Sequence, residues 1–427
     1  MYNKKLMKLL FSFIFSIILI FSAEKAFSVT LNELIADAKA NYPALKEQGY
    51  RKDAQYLRYK ASLDPYYPSL DLSLNYNRYL QSEINPLQDD KGFYSFSVNL
   101  GYKLYDPKRA SQKDASNYVF LIEKQTLSIV EKELIRQVKE LYYRILAEKM
   151  TLSSRNDAQK AAERTFQLAQ AKREVGLAKL SDVYQAKVRM ENAKLDVVTT
   201  KNSLAKLIYE LSSICGRTLQ ESDFDEKLSE FNLPLKEEEF FNVALEKRDE
   251  LSKEKLLEKK LIEDKQLTKG DFLPQAVASI SYNRYDRSFF PSPDETRLGV
   301  SLNWNLFSGL GKFYRYDASD RDILSQRQRI DETKRSILLE VKKGIEDFKS
   351  TAEKVAVSEE ILKAALETYQ QSFEEYRVGK GDILTLLQAE INLSSARESK
   401  ISALLLLHQS KTTLERALGI LSFEELR

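Results

Sequence analysis

The feature that most constrains this chain is that it is written twice. The stretch YNRY occurs at Tyr76–Tyr79 and again at Tyr282–Tyr285, 206 positions later. At the same shift Leu45 lies over Leu251 and Pro68 over Pro274, while VNLGYKLY (Val98–Tyr105) faces VSLNWNLF (Val300–Phe307) at a shift of 202. From Asp114 and Asp317 onward the shift holds at 203. It pairs REVGLAKLSDVYQA (Arg173–Ala186) with YRVGKGDILTLLQA (Tyr376–Ala389), Ala193 with Ala396, Leu211 with Leu414 and Gly216 with Gly419. A unit this long, used only twice, is a tandem duplication and not a short-period solenoid. The reading divides the chain into 29–216 and 238–419, with a linker at 217–237 and a tail at 420–427.

Each unit contains two segments of strict alternation. Leu70, Leu72, Leu74 and Tyr76 interleave with Ser69, Asp71, Ser73 and Asn75; Tyr94, Phe96, Val98, Leu100, Tyr102 and Leu104 interleave with Ser95, Ser97, Asn99, Gly101 and Lys103. In the second unit Ala276, Ala278, Ile280 and Tyr282 alternate with small or polar partners, followed by Leu298, Val300, Leu302, Trp304 and Leu306 against Arg297, Gly299, Ser301, Asn303 and Asn305. Period two predicts strands with two unlike faces, at about 68–80, 93–106, 274–287 and 296–308. Their length, ten residues or more, exceeds the usual five or six and matches membrane-spanning strands. The lipid-facing set is then Leu72, Leu74, Phe96, Val98, Leu100, Ile280, Val300, Leu302 and Trp304. An ordinary soluble hairpin is the competing reading. Against it stand the small, hydroxylic opposite faces and the count of four strands, too few to close a barrel. Edges are costly in lipid, so three copies under cyclic symmetry would supply twelve strands. The turn-rich stretches QSEINPLQDDKG and RSFFPSPDE would join the strands at the exposed end.

The remainder reads as helix. From Ala110 to Glu174 and from Lys312 to Arg377 there is no proline, and Gly344 is the one glycine. Each run of about 65 residues would extend roughly 100 Å. Each ends at a Val-Gly pair, Val175-Gly176 and Val378-Gly379, and a shorter helix runs back, Leu180 to Gly216 and Ile383 to Gly419. The returning helices carry alanines seven apart (Ala186 and Ala193, Ala389 and Ala396), as close antiparallel packing requires. Single helices at Leu31–Ser62 and Glu238–Lys269 are expected before each strand pair.

Composition bounds the rest. Lys4, Lys5 and Lys8, the apolar run Leu9–Phe21 and small residues Ala26 and Ser28 lay out a secretory signal over 1–28; the run is short for the alternative, an uncleaved anchor. No cysteine lies near the cut, so no lipid anchor is expected at the mature N-terminus. The whole chain carries +3, and residues 1–28 hold four lysines and one glutamate, so the mature chain is near neutral and no nucleic-acid partner is implied. The single Cys215 forms no intrachain disulfide. One histidine, His408, and one cysteine make no zinc cluster, and no nucleophile pair or phosphate loop is present. No enzyme, cofactor or metal is expected, and His408 is read as packed.

The order helix, strand, strand, long helix, turn, helix resembles the TolC-like outer membrane efflux protein family. The resemblance is carried by ADAKANYPAL, by Pro68 and Pro274 at the strand entries, by YKLYDPKRAS and WNLFSGLGKF at the strand exits, and by both Val-Gly turns; it covers essentially the whole mature chain. It implies an α+β membrane protein: a homotrimer with a twelve-stranded transmembrane β-barrel continued by an α-helical coiled-coil periplasmic tunnel. That tunnel meets a periplasmic adaptor (membrane fusion) protein and an inner-membrane pump of an efflux or type I secretion system. Drug, metal and protein cargoes share this architecture. The family's entrance is often ringed by acidic residues. Asp182 holds such a place in the first unit, where capping its own helix is the competing role. In the second unit Thr385 and Gln388 hold the matching places, with Lys380 and Asp382 nearer the turn. The resemblance makes Arg173, Val175, Gly176 and Leu177, with Tyr376, Val378, Gly379 and Gly381, the adaptor contact. An exported periplasmic coiled-coil adaptor without a pore is the alternative function.

Overall fold

The computed structural model describes residues 29–79, 91–229, 231, 237–286, 289 and 294–426. The signal segment and most of both strand-joining stretches lie outside the described residues. The elements are α1 (Leu31–Asn41), α2 (Pro43–Ala61), β1 (Ser69–Tyr79), β2 (Lys91–Tyr105), α3 (Arg109–Glu174), α4 (Leu180–Cys215), α5 (Glu237–Lys247), α6 (Asp249–Gly270), β3 (Gln275–Asp286), β4 (Asp294–Asn303), α7 (Gly311–Arg377) and α8 (Ile383–Leu418). The duplication is visible in the backbone. Gly176 and Gly379 have φ of +78° and +80°, and Gly216 and Gly419 have φ of +69° and +75°. Each pair closes the same helix end with a left-handed residue.

Two expectations are corrected. The single helices preceding each strand pair are both broken, and at matching positions. Tyr42 leaves the helical region at φ −65°, ψ 119°, because Pro43, starting α2, disfavours the helical conformation in the residue before it. The second break is at Arg248, which lies over Tyr42 at the repeat shift; its guanidinium, 5 % exposed, turns inward to Glu340 at 2.7 Å and the Ala417 carbonyl at 3.1 Å. The second correction concerns β4, which ends at Asn303. Trp304, expected inside the strand, lies beyond it. Its indole Nε1 donates to the Phe272 carbonyl at 3.0 Å.

The described residues fold as two compact units, and they cut across the repeats: one comprises those up to Leu45 with those of Val130–Arg248 and from Ile337 onward, the other those of Lys46–Ile129 and Asp249–Ser336. The second unit holds one antiparallel sheet in the order β1-β2-β3-β4. Polar pairs tie its helical segments together: Gln48 to Glu123 at 2.6 Å, Ser128 to Asp249 at 2.7 Å and Gln326 to Glu254 at 2.6 Å.

The first unit is helical. Its returning helices bury residues at heptad spacing: Ala186, Ala193, Thr200 and Leu207 interleaved with Val197, Leu204 and Leu211 in α4. In α8, Ala389, Ala396, Ala403 and Ser410 interleave with Leu386, Leu393, Leu407 and Leu414. The seven-residue stripe is a coiled-coil seam. Alanine near the turn lets the backbones approach; leucine further on fills a wider core that also takes Tyr142, Ile145 and Phe224. The ends of α1 and α5 seat on the two left-handed glycines. Asn41 Nδ2 donates to the Cys215 carbonyl at 2.8 Å, and a Cβ on Gly419 would lie 2.7 Å from the Lys247 carbonyl oxygen. His408 is packed as expected: its Nε2 lies 2.9 Å from the Ser229 carbonyl and its ring lies 4.5 Å from that of Tyr143.

Candidate functional site: strand faces and helical turns

The register decides what each face of the sheet presents. Leu70, Leu72, Leu74 and Tyr76 of β1 lie opposite Leu100, Val98, Phe96 and Tyr94 of β2. Val98, Leu100 and Tyr102 lie opposite Tyr282, Ile280 and Ala278 of β3. Ala276, Ala278 and Ile280 lie opposite Leu302, Val300 and Leu298 of β4. Side chains directly opposite share a face, so the apolar residues of all four strands form one surface. It is uncovered: Leu72 is 68 % exposed, Val300 72 % and Leu302 66 %. The other face carries Ser73 against Ser97 and Asn99 against Ser281; the Ser73 and Ser97 hydroxyls bond each other at 2.6 Å. Tyr76, Tyr94 and Tyr282 end the apolar face, so the repeated YNRY places its first tyrosine at that margin in both repeats.

A water-soluble sheet would turn its apolar face inward; this one turns it out. The outer strands β1 and β4 each have one edge without a partner strand in the sheet order. Among the described residues no helix is long and apolar enough to cross a membrane.

At the first turn Leu177 N donates to the Lys172 carbonyl at 2.8 Å and Gly176 N to Arg173 at 3.0 Å. The Asp182 carboxylate accepts from Lys179 N at 3.0 Å and from Ser181 Oγ at 3.2 Å, so it caps the start of α4. The second turn repeats the design with another residue. Lys380 N and Gly381 N both donate to the Glu375 carbonyl, at 2.9 and 3.0 Å. Asp382, the N-cap of α8, accepts from Thr385 N at 3.0 Å and Thr385 Oγ1 at 2.6 Å. Those bonds hold its carboxyl below the usual carboxylate range. Gln388, one turn on, donates to Asn392 at 2.9 Å. Asp382, Thr385 and Gln388 are all exposed, three residues apart on one face of α8, with Lys380 exposed just before them.

Val175, Leu177 and Val378 stand out into solvent, at 70, 75 and 60 % exposure, and Arg173 and Gly379 are exposed beside them. Tyr376 differs. Expected among the contact residues, it is 5 % exposed, packs with Ile383, Leu386 and Leu387, and lies under the Lys172 ammonium at 5.0 Å. Burial pushes its phenol up, aided by the Asp182 charge. It is a strut inside the turn, and its place at the contact is withdrawn.

One cluster was not singled out in the sequence. Glu390 is buried in α8 among the alanines, accepts from Thr165 Oγ1 of α3 and lies 3.7 Å from Arg189 of α4. Its position between Leu386 and Leu393, on the buried stripe, is the signal that would have found it. Among the described residues no cluster of acids, histidine and cysteine suits a metal ion.

The family model described as Outer membrane efflux protein matches residues 34–217 and 241–420, one match per repeat. Outer membrane protein TolC of Salmonella enteritidis is 20 % identical over 418 residues, spanning 93 % of this chain and 83 % of that one. The toluene efflux pump outer membrane protein TtgC of Pseudomonas putida is 22 % identical over 412 residues, spanning 91 % of this chain and 82 % of that one. Among solved structures, the outer-membrane channel OprN superposes with a TM-score of 0.81 at 17 % identity, covering 91 % of this chain and 89 % of that chain. The outer membrane protein VceC from Vibrio cholerae gives 0.79 at 15 %, covering 92 % and 96 %.

Proposed function

Because the chain belongs to the outer membrane efflux protein family, we propose that three copies join their four-stranded sheets edge to edge, β4 of one to β1 of the next, into one lipid-facing barrel of twelve strands. The chain is an outer membrane channel of an efflux system, extending into the periplasm, and the reading as a pore-less adaptor is set aside. The observation that carries the shared barrel is the register: it gathers the apolar strand residues on one exposed face while both sheet edges stay open. Unpaired backbone cannot face hydrocarbon, and closure by identical copies removes every edge. Leu72, Leu74, Phe96, Val98, Leu100, Ile280, Val300 and Leu302 then meet lipid, while the serine and asparagine face lines water.

The helical turns form the periplasmic end. Asp182, Lys380, Asp382, Thr385 and Gln388 from three copies ring the entrance. The exposed Val175, Leu177 and Val378, with Arg173, Gly176, Gly379 and Gly381 beside them, meet the periplasmic adaptor that connects the channel to an inner-membrane pump. The pump supplies the energy, and the channel conducts passively.

The test is the native mass of the full chain after detergent extraction from an outer membrane fraction, followed by single-channel recording. A mass of three copies and discrete conductance steps are expected. A monomer recovered from the soluble periplasm would overturn the shared barrel.

A further inference from the structure

Near the turns, the seam between the helices of the first unit encloses a cavity of about 220 Å³. Its lining includes four cations, Lys160 and Arg164 of α3, Arg189 of α4 and Arg397 of α8, against the carboxylates of Asp157 and Glu390. Positive charge is in excess by two. Arg189 is the telling member. Its side chain is only 13 % exposed, yet its Nε has no hydrogen-bond partner. Among the described residues the countercharge within 4 Å of it is Glu390, at 3.7 Å, beyond hydrogen-bond reach. Glu390 Oε2 is itself buried without a partner. A buried guanidinium donor left unsatisfied is costly, and the cavity beside it is far larger than the ~30 Å³ share of a single water.

We propose that this cavity is an oxyanion site, taking a phosphate or carboxylate group between the guanidiniums of Arg164, Arg189 and Arg397. Guanidinium forks match the oxygens of such groups in pairs. Arg164 and Lys160 lie exposed at the rim, so the group can be a free ion or the end of a larger molecule. Glu390 does not forbid it, because the four cations outnumber the two carboxylates and burial raises the Glu390 carboxyl above its ordinary range. Arg189 lies nine residues beyond the start of α4, roughly 14 Å along the helix. An anion held there would tie α3, α4 and α8 together just behind the turns, and its effect on the entrance rests on the channel reading above.

The test is titration calorimetry on the detergent-solubilised full-length protein with inorganic phosphate, glycerol phosphate and acetate in turn. One saturable site per chain is expected, weakened at least tenfold by Arg189→Gln and by Arg164→Gln and unchanged by Lys201→Gln, an exposed cation outside the cavity. Arg164 is on the surface, so its variant folds even where the Arg189 variant does not. Saturation by glycerol phosphate as well as by phosphate identifies an open-mouthed site that takes phosphomonoesters, and saturation by acetate alone a carboxylate site. Absence of saturable heat with all three probes, or equal affinity in the Arg164 and Lys201 variants, overturns the proposal. Either result leaves the trimer mass and the conductance untouched, so the two readings fail separately.

Discussion

Four glycines with positive φ carry the helix ends, and they are not equally replaceable. Gly176 has nothing within 4 Å of where a Cβ would stand, whereas a Cβ on Gly419 would meet the Lys247 carbonyl oxygen at 2.7 Å and the Arg248 amide nitrogen at 3.0 Å. Both substitutions pay the left-handed strain of ~1–2 kcal/mol; only Gly419→Ala adds a collision with backbone that cannot swing aside. Gly419→Ala is expected to cost about 3 kcal/mol and Gly176→Ala about 1, read as the drop in the thermal unfolding midpoint. Equal drops would mean that α5 does not seat on this helix end. Lys139 and Glu415 offer a second test. Their 2.6 Å pair is nearly closed to water, and Glu415 also accepts from Phe423 N at 3.2 Å. Lys139→Met strands a buried carboxylate and should destabilise by roughly 3 kcal/mol. Adding Glu415→Gln, which keeps an acceptor for Phe423, should recover part of the loss. A double variant no better than the single would show the two residues to be uncoupled.

At the scale of elements, adjacent residues of β2 give the sharpest contrast. Leu100 lies opposite Ile280 on the apolar face, and Asn99 opposite Ser281 on the other. On a lipid-facing strand position near mid-membrane an Arg or Lys costs ~2–4 kcal/mol and an aspartate somewhat less, whereas lumen positions do not face hydrocarbon. Leu100→Asp should abolish outer membrane assembly, and Asn99→Asp should leave it intact, as judged by heat-resistant oligomer in membrane fractions. Identical behaviour of the two would overturn the assignment of faces. These faces were legible because period two survives translation into structure without any tertiary information, and the turns because valine-glycine interrupts runs that lack proline. What escaped was set by distant partners. The break at Arg248 depends on Glu340 and the Ala417 carbonyl, some ninety and more residues away. Trp304 continues the alternation perfectly, and its bond to Phe272 lies outside any periodicity. Tyr376 sits in the last turn of α7 beside the exposed Arg377 and Val378, and only packing with α8 shows it to be interior. Glu390 was hidden for the opposite reason: a charge in a charged chain draws no notice until the stripe it interrupts is known to be buried.

For the whole molecule, three copies would bring three Asp182 and three Asp382 carboxylates to one end. Each also serves its own helix, and capping does not remove the charge. Repulsion across a ring raises carboxylate pKa values, while within each copy the Thr385 hydroxyl and amide lower that of Asp382. A depressed folded pKa means that the charged, capped form is favoured at every pH above the ordinary carboxylate range, and that it is lost only as pH falls through the lowered value. The share of the cation preference that Asp382 carries, read as the reversal potential in a salt gradient, should therefore stay flat from about pH 8 down to the ordinary carboxylate range near pH 4 and be lost only below it. Asparagine caps a helix nearly as well as aspartate, so Asp382→Asn keeps the turn and removes the charge; it should reduce the preference at neutral pH without changing the trimer's mass. Asp182→Asn should reduce it further and raise the current. A preference that weakens progressively from pH 7 would mean that repulsion between copies outweighs the Thr385 bonds and that the three carboxylates crowd one another. A preference unmoved by both substitutions would take Asp182 and Asp382 out of the entrance and leave them the work of capping alone.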